Sequence, residues 1–244
     1  MRRPSPVCPT PVRRAVMWQR WENLVYVHFE VDPDIVRAII PVGLEVDTWE
    51  GKAYVGLIPF QMRGISLPRM PAVPYLGTFP EVNVRTYVVR DGVPGVWFCS
   101  LDINRLLPTL VARGAYSLPY CFGEVRHKRR GDIVTTTVRR RWPRVDSPAT
   151  TTLEVEVGEL IDEPTDLEHF LSARWGLYSA TRRGTLRYAA VDHEPWPLYR
   201  AGLRFLDDQL VSMAGFGPPP GEPLVMYSPG VKVRVGLPRK LSLI

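Results

Sequence analysis

The chain has 244 residues, 45 % of them hydrophobic, which is enough for one large domain with a substantial core, and no Ser/Gly-rich or charge-block linker divides it. No apolar run approaches the ~18 residues of a membrane span, and the basic, proline-containing start lacks the apolar centre of a secretion signal, so a cytoplasmic protein without membrane contact is expected. Cys8, Cys99 and Cys121 are an odd set without metal-ligand spacing, so neither a disulfide framework nor a zinc site is indicated.

In chain order, residues 1–16 read as a mobile tail and residues 17–244 as a single domain, with Trp18 and Trp21 opening the packed structure. Residues 23–30 form a strand. Asp32 and Pro33 then supply an N-cap and a first-turn proline for a short helix that ends near Ile40. Residues 44–49 and 52–60 read as two strands joined by a hairpin turn at Glu50-Gly51. The stretch 67–77 holds three prolines, cannot be a central strand, and is expected as a loop at a pocket rim.

Residues 79–102, FPEVNVRTYVVRDGVPGVWFCSLD, are the most informative part of the chain. They predict a hairpin in which Glu81, Asn83, Arg85 and Tyr87 share one face and Val82, Val84, Thr86 and Val88 the other. The partner run VWFCSL is apolar on both faces, and such a strand is normally covered on both. The polar row then faces either solvent or an enclosed pocket, and the pattern by itself leaves both open.

A broken helix is expected over 102–113, with Pro108 opening its last turn. Strands follow at 116–124, 133–142 and 150–157. Thr165 and Glu168 form a T-x-x-E capping box that starts a helix with Leu167, Phe170 and Leu171 facing inward. Residues 185–192, 198–206 and 231–235 again read as strands, with a short helix near 207–214. The absence of strand–helix alternation and of a fixed-period repeat removes Rossmann and TIM arrangements. The expected class is α+β: a large, curved, mostly antiparallel sheet or open barrel with a few short helices.

No P-loop, G-x-G-x-x-G, H-E-x-x-H, G-x-S-x-G or C-x-x-C motif is present, and no cofactor is implied. His28, on an apolar strand, reads as a core histidine, and His193 reads as part of a rigid turn. Glu81 is the leading candidate for acid–base work, because burial raises a carboxyl pKa toward neutrality. Arg85 suits bidentate binding of a carboxylate, unless it pairs with Glu81 instead. Tyr120 and Cys121 can add a phenol and a thiol to the same cavity. Asn83 and Trp97 complete the proposed set, with Glu81 and Tyr120 as catalytic candidates and Asn83, Arg85, Cys121 and Trp97 as substrate-binding ones.

Several motifs in order carry a resemblance: residues 22–62, then FPEVNVRTYV, GVPGVWFCSLD, ARGAYSLPY, RWGLY and HEPWPL. They resemble the uncharacterised YqjF-like family, which is grouped in the acetoacetate decarboxylase-like superfamily, over nearly the whole chain from about Trp18. The resemblance implies that fold and places Glu81 where the superfamily has an active-site glutamate. It also implies a lysine that forms a Schiff base, next to a second lysine that lowers its pKa. At the matching positions this chain has Tyr120 and Cys121, and neither can form an imine.

Three functional classes follow. The first is an acetoacetate decarboxylase-like protein with a pocket for a small polar carbonyl or carboxylate metabolite, as a lyase-type enzyme using Glu81 without a Schiff-base lysine. The second is a ligand-binding sensor or carrier that performs no chemistry. The third is nucleic-acid binding through the basic clusters 126–130 and 139–141, ranked last because Gly131-Asp132 reads as the turn of a solvated edge ribbon and no aromatic residues interleave with the arginines. A small-molecule ligand is therefore the expected partner, and self-association to a homo-oligomer is left open.

Overall fold

The hairpin that dominates the sequence is the centre of the fold. The structure is a computed structural model, and it describes residues 5–143, 149–218 and 221–241. Along the chain run β1 (Ala15–Val31), α1 (Pro33–Ile39), β2 (Glu45–Val46), β3 (Ala53–Ser66), β4 (Phe79–Arg90), β5 (Val93–Ile103), α2 (Leu106–Ala115) and β6 (Tyr120–Arg130). Then come β7 (Ile133–Trp142), β8 (Thr150–Leu160), α3 (Asp166–Ser172), β9 (Gly176–Ala180), β10 (Leu186–His193), β11 (Tyr199–Asp208), a helical turn (Ser212–Phe216), β12 (Leu224–Gly236) and β13 (Arg239–Lys240). The β4–β5 turn is Asp91-Gly92, both at positive φ, as a two-residue hairpin demands.

The sheet is mostly antiparallel and closes on itself rather than staying open. A wall of β5, β4, β3, β1 and β12, paired in that order, is common to two rings. At its outer edges the wall forks. The first half of β5 pairs with β9 in parallel and its end pairs with β6 in parallel. The start of β12 pairs with β11 and its end with β10. One ring is therefore completed through β6, β7, β8 and β11, the other through β9 and β10.

Each wall strand alternates between the two interiors. Val25, Val27, Val55, Leu57, Val82 and Val84 belong to one core, whereas Leu24, Tyr26, Ile58, Phe60 and Tyr87 belong to the other. This is why β4 is buried along nearly its whole length. The polar face of Glu81, Asn83 and Arg85 therefore meets an interior and not solvent.

The local expectations that rest on backbone chemistry are met. Asp32 caps α1 by accepting the Asp34 N–H at 2.8 Å. Thr165 and Glu168 form both bonds of the capping box. Others need correction. Residues 44–49 and 52–60 do not make a hairpin: β2 is two residues long and pairs with β4, and only a single bridge links Trp49 to Lys52. The helix near 102–113 is one uninterrupted element from Leu106, with Pro108 inside its first turn, where a missing N–H costs no hydrogen bond. The basic clusters lie on β6 and β7: β7 pairs with both β6 and β8 and is not an edge, whereas among the described residues 126–130 of β6 pair only with β7, so that half of the ribbon is the solvated edge expected.

Residues 5–16 make specific contacts with the rest of the chain. β1 starts at Ala15, Cys8 and Val12 are buried, the Val12 N–H donates to Asp192, and the Trp175 indole donates to the Ser5 carbonyl. Residues 1–4 lie outside the described residues. No helix among the described residues is long and apolar enough to cross a membrane.

The β1–β12 ladder depends on Gly230, whose φ is +121° and where a Cβ would fall 1.9 Å from the Trp21 carbonyl oxygen. Gly230→Ala is expected to lower stability by at least ~3 kcal/mol. Gly131→Ala, at φ +59° with open space around it, is expected to cost no more than ~1–2 kcal/mol. Denaturant unfolding of the two variants measures the contrast.

Candidate active site

The ring completed by β9 and β10 borders a half-open cavity of about 380 Å³, within the size range of small-molecule sites. Its walls come from β1, β3, β4, β5, β9, β10 and β12, with Leu107, Pro108 and Ala112 of α2 on one side. The proline-rich loop supplies Val73, Leu76 and Gly77, so it forms part of the rim as its composition suggested. Most of the lining is apolar, including Trp21, Val96, Phe98, Leu177, Val191 and Trp196. A few polar groups therefore stand in a mainly apolar wall.

Glu81 is one of them, 2 % exposed. The Tyr120 hydroxyl donates to its Oε2 at 3.1 Å. Burial drives the Glu81 pKa up to about 8; the Tyr120 hydrogen bond offsets part of this and the nearby Asp102 charge adds to it. Glu81 thus holds its proton at neutral pH. Burial and the neighbouring Glu81 push the Tyr120 phenol well above its ordinary range, so it remains a donor.

Arg85 also lines the cavity, and it does not pair with Glu81. Its Nη2 donates to the Leu171 carbonyl at 3.0 Å and to the Tyr87 hydroxyl at 3.3 Å. Tyr87 gives its own proton to the same carbonyl at 2.7 Å. His28 Nε2, 2.6 Å from the Tyr87 oxygen, must therefore be the donor there, which fixes the neutral Nε2–H tautomer. Burial and the charges of Arg85 and Arg174 keep His28 neutral by lowering its pKa. His28 is thus a core histidine, as expected, and through Tyr87 it helps hold Arg85 in place.

Strand parity separates the remaining candidates. Asn83 stands between Glu81 and Arg85 on the same face and is buried with its Oδ1 unpartnered, but it is not among the residues that line the cavity. Trp97 lies between two cavity residues, Val96 and Phe98, and so points to the opposite face, against the other core. Cys121 follows Tyr120 and likewise turns away, toward Asp102 and Arg140. Those two form a buried bidentate pair with both bonds at 2.7 Å. Burial is the main cause that raises the Cys121 thiol to about 11, so it is not an activated nucleophile. The structure thus brings Glu81, Tyr120 and Arg85 to one cavity and leaves Asn83, Trp97 and Cys121 off its surface.

Four polar cavity residues escaped the sequence reading: Gln19, Tyr116, Ser172 and Arg174. Arg174 is buried, ion-paired with Asp47, and stacked over Tyr87 and Phe170 at 4.5 Å and 4.1 Å. His193, read as structural, also lines the cavity, between the rings of Trp175 and Trp196. Its Nδ1 lies 2.6 Å from the Glu194 carbonyl, and burial lowers its pKa to about 4. The signal for Arg174, His193 and Trp196 was present, since they sit in the RWGLY and HEPWPL motifs. Lys52, Lys128, Lys232 and Lys240 are all exposed, and none lines the cavity. No cluster of metal-ligating side chains occurs among the described residues.

The model of the DUF2071 family, described as "Uncharacterized conserved protein", matches residues 18–232. The uncharacterized protein YqjF of Bacillus subtilis (strain 168) is 30% identical over 213 residues, 87% of each chain. Among solved structures, an acetoacetate decarboxylase-like enzyme from Sphingomonas wittichii RW1 superposes with a TM-score of 0.66 at 14% identity, over 97% of both chains. The enduracididine biosynthesis enzyme MppR complexed with pyruvate gives 0.64 at 17% identity, over 96% of this chain and 93% of that one. An acetoacetate decarboxylase gives 0.66 at 16% identity, over 94% and 91%. At these identities the likeness is one of fold.

The buried Glu81 proton has a measurable thermodynamic consequence. Below about pH 4.5 folded and unfolded chains both keep it; between there and about pH 8 only the folded chain does, so stability falls as pH rises through this window. At about 1.4 kcal/mol per pH unit, Glu81 alone costs up to ~4 kcal/mol by pH 8. Glu81→Gln removes this cost. The variant is expected to gain on the wild type steadily from pH 5 to pH 8 in denaturant unfolding, and a constant difference across that range would refute the buried neutral acid.

Proposed function

We propose that this chain, which belongs to the DUF2071 family of uncharacterized conserved proteins, binds a small metabolite bearing a carbonyl and a carboxylate, and that Glu81 transfers a proton to it. The observation that carries this reading is a carboxyl group that is neutral at pH 7, faces a cavity, and is hydrogen-bonded by a phenol. A neutral carboxyl can donate to a carbonyl oxygen as electrons arrive there. The proton it gives up leaves a carboxylate, which Tyr120 already addresses at Oε2 and so stabilises. That sequence suits a lyase-type or enolising reaction: the electrons of a bond at the carbon beside the carbonyl form the enol double bond as the oxygen takes the Glu81 proton, and carbon dioxide leaves or, in enolisation, solvent water accepts the departing proton.

Imine chemistry has no support here, because all four lysines lie outside the cavity. The acetoacetate decarboxylase-like fold and the pyruvate bound to MppR, a protein of the same fold, support an oxo acid as the class of ligand. The alternative is a sensor or carrier that binds the same class without chemistry. It is favoured by the apolar character of most of the wall, which offers few groups to stabilise developing charge.

The two readings separate in a proton-exchange experiment. With oxo acids whose carbonyl lies at different distances from the carboxylate, in deuterated water, the protein is expected to accelerate exchange of the protons beside the carbonyl where that carbonyl reaches Glu81, and Glu81→Gln to reduce the rate at least ~100-fold while circular dichroism stays unchanged. The wild-type rate should decline above about pH 8, where the acid loses its proton. Full exchange activity in the variant would sink the Glu81 assignment. Binding without any exchange would leave the carrier.

A further inference from the structure

The two ends of the cavity are chemically unlike and far apart. Glu81 and Arg85 share one face of β4 four residues apart, which separates their Cα atoms by about 13 Å along the strand. Arg85 leans further away, bonded to Leu171 and Tyr87, with its guanidinium 5.8 Å and 5.6 Å from the ring centres of Tyr26 and Tyr87. It is 8 % exposed, none of its partners is a carboxylate, and its Nε–H has no partner at all. Arg174 flanks the other side of the Tyr87 environment and has Asp47 as its counter-charge, yet its Nη2 is also unpartnered. His28 and His193 are neutral. This end of the cavity therefore holds two cations and one anion, and an uncompensated charge in a buried site is costly.

Between Arg85 and Glu81 the lining supplied by β5 is apolar, with Phe98 paired with Arg85 and Leu101 paired with Asn83. We infer that the ligand of this cavity is an extended, apolar monocarboxylate, whose carboxylate is held by Arg85 beside Arg174 and whose carbon chain runs along the apolar wall toward Glu81. A three-carbon acid reaches one end only and leaves most of the apolar surface against water. A zigzag chain advances about 1.3 Å per carbon–carbon bond of about 1.5 Å, so an eight-carbon acid, with seven such bonds, covers about 9 Å of the gap. The anion supplies the counter-charge missing at Arg85, and the chain desolvates the wall. This inference rests on the cavity being a ligand site, as proposed above, and deepens it by naming the class of ligand.

Calorimetric titration of the intact protein with butanoate, octanoate and octan-1-ol tests it, with quenching of Trp21 and Trp196 fluorescence as a second readout. Affinity is expected to rise by up to about fourfold per methylene, the equivalent of about 0.8 kcal/mol, so octanoate should bind at least tenfold tighter than butanoate. Octanoate should also exceed octan-1-ol at least tenfold. In Arg85→Met that preference over the alcohol should vanish, with the affinity for octan-1-ol held within twofold. Equal binding of butanoate and octanoate, or of octanoate and octan-1-ol, by the wild type overturns the inference even if the variant does not fold. The exchange experiment on Glu81→Gln is independent: it judges the proton transfer, whichever chain length binds.

Discussion

Burial of both faces of one wall is the constraint on which this structure depends. The strands β5, β4, β3, β1 and β12 each serve two interiors, so each must place alternate residues in opposite environments. Val82, Val84 and Val88 complete a dry core on one side, which frees the other side of β4 for Glu81, Arg85 and Tyr87. A register slip of one residue would drive two charged groups into the valine core and leave them without partners. The same alternation that builds the fold thus positions the site.

The interior handles its charged groups in different ways, and the contrast separates scaffold from site. Asp102 and Arg140 neutralise one another through two parallel hydrogen bonds, and Arg174 has Asp47. Such pairs recover by mutual attraction part of what desolvation costs. Glu81 has no cation, so desolvation wins and the group keeps its proton. Arg85 cannot lose its proton in this way; it is held by a carbonyl, a hydroxyl and two aromatic rings, none of which carries a negative charge. The groups left without a charge partner, Glu81 and Arg85, both line the cavity, together with the paired Arg174.

Local chemistry was legible wherever one or a few residues decide the backbone. Asp32-Pro33, the Thr165/Glu168 box, Asp91-Gly92 and the proline-rich loop all act where their residue types said they would. Element lengths and pairings were not legible. The two-residue β2 pairs with β4, a long-range partner that no local pattern specifies. Within the site, alternation along β4 correctly grouped Glu81 with Arg85, but treating Tyr120 and Cys121 as neighbours in one cavity ignored the same rule, since adjacent strand residues point apart. Arg174, His193 and Trp196 come from segments distant in sequence, and only their recurrence within motifs hinted at a role.

Through its motifs the sequence carried the family resemblance, which implies that no lysine stands where an imine would form; by itself it determined the β-rich class and the hairpin with its polar row. These follow from residue type and spacing over a few positions, which alternation and capping translate directly into local geometry. Tertiary structure alone decided that the polar row faces a cavity, that Glu81 is neutral and that Arg85 lacks a counter-charge. Ring closure and desolvation are properties of surfaces brought together from across the chain. A carboxylate and a guanidinium four residues apart acquire their chemistry only from what covers them.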